Sequence, residues 1–199
     1  YWLLWKHQRR KKQPAAVLKW NQSCDLSDDD WENIFKMPFR SCTSTLLQCF
    51  QYKIIHRVIA CRKWLYNLRV LNSSNCLYCD EEDSIGHFFY NCVVLKQFWI
   101  SFKNWWCKLT NRIVEHAFNE QVVVFGVKID GNESITFNYC LIVAKYFVYI
   151  NRLQESQTFD FYRYLCVLKC RLEEEYIYYK ENGKLDFFYQ SKGLIYENL

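Results

Sequence analysis

Apolar side chains recur at steps of three and four along most of the chain, the spacing that gives an α-helix one buried side. From Thr45 to about Leu68 the stripe is Leu47, Phe50, Ile54, Val58, Cys61 and Leu65, which predicts one long helix. Lys53, Arg57 and Lys63 fall off that stripe, so this helix would bury one side and show cations on another. A second helix is predicted to open at Ser84 or Gly86, with Phe88, Cys92, Leu95, Trp99, Phe102 and Trp106 in register. A third runs from about Ser134 to Gln154. A fourth runs from about Phe159 to Lys180, with Phe161, Leu165, Leu168, Leu172, Tyr176 and Tyr179 on one face and Gly183 suited to its end. Ser27 is a fitting N-cap for a short helix through Phe35. Between these elements, Asn72 to Asn75 reads as a polar turn, Asp80 to Asp83 as an acidic loop and Asp130-Gly131-Asn132 as a turn signal. Gln121 to Ile129 is β-branched with little helical period and reads as a strand or an extended segment. The expected class is mostly α, with room for a minor β-hairpin.

Composition narrows the picture without changing it. With 199 residues, 51% hydrophobic and 19% aromatic, the chain can bury a real core and is no disordered tail. Five Gly and two Pro are too few for the many turns of a β-sandwich. The most apolar window, Ile135 to Ile150, holds Lys145 and is shorter than the roughly 20 residues a bilayer requires, so it reads as a buried helix. The apolar start Tyr1 to Trp5 is too short for a signal peptide, and basic residues follow it rather than precede it. A chain that opens on Tyr rather than Met is expected to be a fragment. No Ser/His/Asp set, glycine-rich phosphate loop or His-Glu-x-x-His helix is present, so no catalytic residue is expected.

Charge is one-sided. Residues 1–79 hold thirteen Lys/Arg against five Asp/Glu, a balance of +8; residues 80–199 hold thirteen against sixteen, a balance of −3. No acid occurs between Asn33 and Cys79. This is the footprint of a polyanion partner, or a solvated helix face. A basic lead (Lys6, Arg9, Arg10, Lys11, Lys12) opens the chain.

Eleven cysteines, an odd number, do not suit a secreted disulfide scaffold. Most sit in apolar patterns (Cys49, Cys61, Cys107, Cys140, Cys166, Cys170) and read as small core residues of a reducing, intracellular compartment, nuclear or cytoplasmic. Three do not. Cys76, Cys79, His87 and Cys92 form the array Cys-x2-Cys-x7-His-x4-Cys in a polar loop between helices. Three thiolates and one imidazole fill all four positions of a tetrahedral zinc ion, so the site is expected to be structural, with no open place for water. A Cys76–Cys79 disulfide is the competing reading. His56, next to Arg57, is a candidate phosphate contact; His7 and His116 read as surface residues.

The run Cys76-Leu77-Tyr78-Cys79, then Gly86-His87-Phe88-Phe89, Cys92 and Trp99, resembles the zinc-binding domain found C-terminal to reverse transcriptases. More narrowly, it looks like the C-terminal segment of the second open reading frame protein of LINE-type non-LTR retrotransposons. Trp31 to Phe35 with Gln51-Tyr52-Lys53 and Arg57 is similar to the stretch before that motif. Val124-Phe125-Gly126, Ala144-Lys145 and the helix to Lys180 are similar to the region after it. The similarity covers about residues 30 to 192. It implies a tail that helps hold element RNA, and target DNA, during target-primed reverse transcription. The polymerase motif Tyr/Phe-x-Asp-Asp is absent, and neither Pro14 nor Pro38 is followed by the Asp that a restriction-like nuclease would need.

These readings converge on a helical domain with a small zinc-knuckle loop between helices. Residues 1–32 form a basic and acidic lead, 33–110 the helix–knuckle–helix region and 111–199 a C-terminal helical region. The expected ligands of a structural Zn2+ are Cys76, Cys79, His87 and Cys92. Lys53, Arg57, Arg62, Lys63 and Arg69 would contact phosphates without sequence choice, and Tyr78, between two ligands, would stack on an unpaired base. Phe88 and Trp64 are further stacking candidates, Phe88 reading first as core. RNA or target DNA, and a reverse transcriptase core, are the expected partners; no membrane or small-molecule substrate is expected. A protein-docking module and an inactive retroelement remnant remain the alternatives.

Overall fold

The computed structural model describes residues 14–110, 118–155 and 158–199. His7, His116 and the basic lead of residues 6–12 lie outside them. The described chain is mostly helical: α1 (Ala15–Trp20), α2 (Asp28–Ser41), α3 (Thr45–Ile55), α4 (Arg62–Asn67), α5 (Lys96–Thr110), α6 (Glu120–Phe125), α7 (Asn132–Leu153), α8 (Phe161–Glu181) and α9 (Leu185–Glu197). Among the described residues the only β-pairing is a single antiparallel bridge, Asn75 to Glu82, and no helix is long and apolar enough to cross a membrane.

The central element is α7. Every residue from Ser134 to Lys145 is buried, including the polar Ser134, Thr136, Asn138 and Lys145. Ser134 starts it, its Oγ accepting from the amides of Asp130 and Gly131. Helices α2, α3, α8 and α9 all pack against it. Aromatic rings fill the space towards α5: Phe98 stacks on Phe147 at 5.8 Å and meets Tyr164 edge-on at 5.6 Å, while Phe102 lies between Trp99, Phe137 and Tyr164. Such pairs add about 0.5–1.5 kcal/mol each beyond area burial. One hydrophobic cluster runs from Val17 to Ile195 and includes Cys76 and Cys92, so the knuckle shares the core of the helices.

Several helix limits differ from the periodic reading, each for a local reason. Ser27 does cap α2, in a capping box with Asp30, but the helix continues past Phe35 to Ser41 with Pro38 inside it, because Trp31, Ile34, Met37, Pro38 and Ser41 share a buried face. The predicted Thr45–Leu68 helix is two helices. It stops at Ile55, with Arg57 left-handed (φ 59°) and the amides of Arg57 and Val58 folding back on the carbonyls of Ile54 and Lys53. The carbonyl of Ile55 is taken by the Trp20 indole at 2.8 Å, and Val58, assigned to the apolar stripe, is exposed. Gln121–Ile129 is not a strand: Asn119 caps a helix over Glu120–Phe125, and only residues 126–129 lie outside it, without regular structure. Gly126 turns the chain there at φ 84°, and a Cβ would stand 2.5 Å from Asn138 Oδ1. That same side chain brackets Val127, accepting from its amide and donating to its carbonyl. The last helix, α9, had no counterpart in the sequence reading.

Candidate metal centre

The knuckle starts where α4 ends. The amides of Arg69 and Val70 bond back to Tyr66 and Leu65, with Arg69 left-handed at φ 59°, and the chain turns into the loop. Two backbone bonds close the loop on itself, Cys76 N to Glu81 O and Asp83 N to Ser74 O, both 2.9 Å. Ser84 then orients the next turn: its Oγ accepts from His87 N and its carbonyl from Phe88 N. The predicted continuous helix from this point is instead a π turn over His87–Asn91, a 3-10 turn over Val93–Leu95, and α5. Cys92 sits in extended backbone between the two turns. The interruption is what turns its thiol inward, and the Trp99 indole satisfies the Phe89 carbonyl at 2.8 Å. The apolar face itself is as read: Phe88, Cys92, Leu95, Trp99, Phe102 and Trp106 are all buried. A Cβ at Gly86 would meet the Glu120 carboxylate, the end of a flexible side chain that also accepts from Asn91 Nδ2.

Cys76, Cys79, His87 and Cys92 come together, with all four ligand atoms within 4.8 Å of one another. Cys79 Sγ lies 3.3 Å from His87 Nε2, and Cys76 Sγ lies 3.6 Å from Cys92 Sγ. A tetrahedral ion with metal–sulfur bonds of about 2.3 Å sets its sulfurs about 3.8 Å apart. The donor set therefore fits a metal ion. All eleven cysteines are free, so the Cys76–Cys79 disulfide is not formed.

Electrostatics at the centre are uneven. Burial pushes the Cys76 thiol up, but the Tyr78 amide and the Arg152 guanidinium outweigh it and hold the group below its ordinary value. Cys92 has burial winning instead and is pushed up to about 11. Burial also lowers His87, favouring the neutral imidazole that a metal needs.

Two residues here escaped the sequence reading. Arg152, near the end of α7, places Nη2 3.3 Å from Cys76 Sγ and 2.7 Å from Asp83 Oδ1. Asp83, read only as part of an acidic loop, is 1% exposed; its other oxygen accepts from Arg62 N and its carbonyl from Lys63 N. The single buried acid among four successive ones carries no mark in the sequence.

The predicted nucleic-acid contacts divide. Lys53 and Arg69 are exposed. Arg57 is half-buried over the Trp20 ring at 4.2 Å, and Arg62 is half-buried with Nε lacking a partner among the described residues. Lys63 pairs with Glu82 at 2.5 Å. Tyr78 meets Phe159 edge-on, Arg152 covers its ring at 5.1 Å, and its hydroxyl is buried. Phe88 is core and Trp64 is half-buried. His56 lies between Tyr52 and Phe35, and burial lowers its pKa, which disfavours the charged form that a phosphate contact would use. Of the cysteines read as core, Cys61 and Cys140 are buried, Cys107 is half-buried, and Cys49, Cys166 and Cys170 are exposed.

No family model matches the chain, and no curated protein is significantly similar to it.

Proposed function

We propose that the chain is a zinc-organised nucleic-acid-binding module, of the kind suggested by its resemblance to the tail of LINE-type reverse transcriptases. The observation that carries the reading is the convergence of three thiols and one imidazole on a common centre. With four protein ligands the ion has a structural role, and no residue is assigned to catalysis. It ties the loop after α4 to the turn before α5. That tie sets where the cations of the acid-free stretch stand, Lys53 and Arg69 in the open and Arg62 half-buried. Arg69 occupies a left-handed position where glycine is cheaper and its side chain is exposed; Arg57 is left-handed too, but its guanidinium already lies over Trp20.

Metal analysis of the purified chain should return one zinc, abolished by Cys76→Ser with Cys79→Ser. Binding to single-stranded RNA should weaken with salt by a slope of about −0.7 per phosphate contact, so about −2 for three contacts. A flat salt response sinks the nucleic-acid half of the reading and leaves the metal half standing.

A second reading, docking onto a reverse transcriptase core or another protein, is favoured by one observation. Lys63 is already matched by Glu82, and Tyr66, Leu68, Val70 and Leu77 are exposed along the same segment. Salt-insensitive binding to protein would select it.

A further inference from the structure

The metal reading accounts for four side chains but leaves a buried cation beside them. Arg152 comes from α7, about sixty residues beyond the last ligand, yet its side chain is 3% exposed and enters the knuckle. Its guanidinium touches Cys76 Sγ and Asp83 Oδ1 through the same nitrogen, Nη2. It lies over the rings of Phe88 and Tyr78, each next to a ligand in sequence, at 4.3 and 5.1 Å. It also faces the Cys92 thiol electrostatically. The other terminal nitrogen, Nη1, is buried and has no hydrogen-bond partner among the described residues. A guanidinium is planar, always charged and offers five donors, so an idle buried donor is costly unless an acceptor is supplied.

Loading the centre strengthens the acceptors beside it, because a metal binds the Cys76 and Cys92 sulfurs as thiolates. Three thiolates, one imidazole and a divalent ion together carry a net charge of about −1, concentrated on sulfur. Asp83 adds a second buried negative charge. Without a cation between them, two like charges would face each other in a poorly hydrated space. Resting on the metal reading above, we infer that Arg152 is the outer-sphere positioning residue of the metal centre, bridging the Cys76 thiolate to Asp83, so that loading the ion and docking the end of α7 on the knuckle are one coupled event. Asp83 also holds the start of α4, its second carboxylate oxygen accepting from Arg62 N and its backbone carbonyl from Lys63 N, which carries the same coupling to that helix.

The test titrates the full chain with Co2+ and with Zn2+ against a competing chelator, in the wild type, Arg152→Met and Arg152→Lys. The wild type should give a tetrahedral, thiolate-rich Co2+ spectrum; its absence removes the metal reading itself. Arg152→Met should weaken metal affinity 10- to 100-fold, the usual cost of losing an outer-sphere partner. It should also move the sulfur-to-cobalt charge-transfer band to lower energy, because a hydrogen bond to a ligand thiolate stabilises the sulfur electrons. Arg152→Lys keeps the charge and a donor, so it should recover part of the affinity and part of the band energy. Wild-type affinity with an unshifted band in soluble Arg152→Met overturns the inference while the site stands. Should Arg152→Met fail to fold, Arg152→Gln takes its place: loss of the charge should weaken metal affinity and lower the band energy, and wild-type values for both overturn the inference.

Discussion

Among the described residues, two ion pairs are almost wholly withdrawn from water, Lys192–Glu175 among the C-terminal helices and Arg152–Asp83 beside the knuckle. Their surroundings differ. Around Glu175 the accounting closes within the protein: one oxygen accepts from Lys192 Nζ at 3.0 Å, the other from the amide and hydroxyl of Thr43 at 2.7 and 2.8 Å. Lys192 also lies over the rings of Tyr139 and Tyr179. The pair joins the α2–α3 junction to α8 and α9. Around Arg152 it does not close: thiols stand where carboxylates would, and one guanidinium nitrogen is idle. The difference separates a buried carboxylate whose oxygens are both satisfied by the protein from a buried guanidinium set beside candidate metal ligands; Tyr139, whose ring lies under Lys192, still keeps a buried hydroxyl without a partner among the described residues.

The largest expected effect breaks the two apart. Chelation of the zinc-loaded chain should abolish protection of backbone amides across residues 74–92 and at the end of α7, while α8 and α9 stay protected. Structural zinc contributes roughly 10–16 kcal/mol in small zinc peptides, so the local loss should be near complete. Hydrogen exchange with and without chelator measures it, and a uniform loss over the whole chain would show that the regions are not separable.

Glu175→Gln attacks the other side. It leaves Lys192 buried without its counter-charge, for which the usual cost is about 3–5 kcal/mol. Urea unfolding should show that loss, with zinc stoichiometry unchanged.

Lys145 sharpens the comparison, because it is a buried cation with no carboxylate. Its Nζ donates to Gln51 Oε1 and Val124 O, and burial pushes its pKa down to about 7. The folded value lies below the unfolded one, so between about pH 7 and 10 the unfolded chain binds more protons. Its contribution to stability therefore rises with pH across that window, by a few kcal/mol. The difference between wild type and Lys145→Met, followed by urea unfolding over that range, isolates it from the buried thiols Cys42 and Cys92, which are pushed up to about 12 and about 11 and act in the opposite sense.

The smallest effect is a sign test at Arg69. Replacing it with Gly relieves the left-handed backbone and should stabilise the chain by about 1 kcal/mol. The same change should lower RNA affinity and flatten the salt slope by about 0.7. Gain of stability with unchanged binding would remove Arg69 from the interface.

What the amino-acid order determined alone was the helical class, the buried row from Phe88 to Trp106 and the four residues that could hold a metal ion. The row follows from spacing and the candidate ligands from residue type at short separation, even though the backbone there changes from π to 3-10 to α. Where the helices stop was decided by the tertiary structure. Nothing near Ile55 breaks a helix; the distant Trp20 indole takes its carbonyl. Nothing in Asp80–Asp83 marks the one acid that is buried, and nothing near Arg152 points to residues 76 and 83. A side chain's charge is written in its identity, but its partner is chosen by which elements pack together, and that choice appears only when α7 and the knuckle share one core.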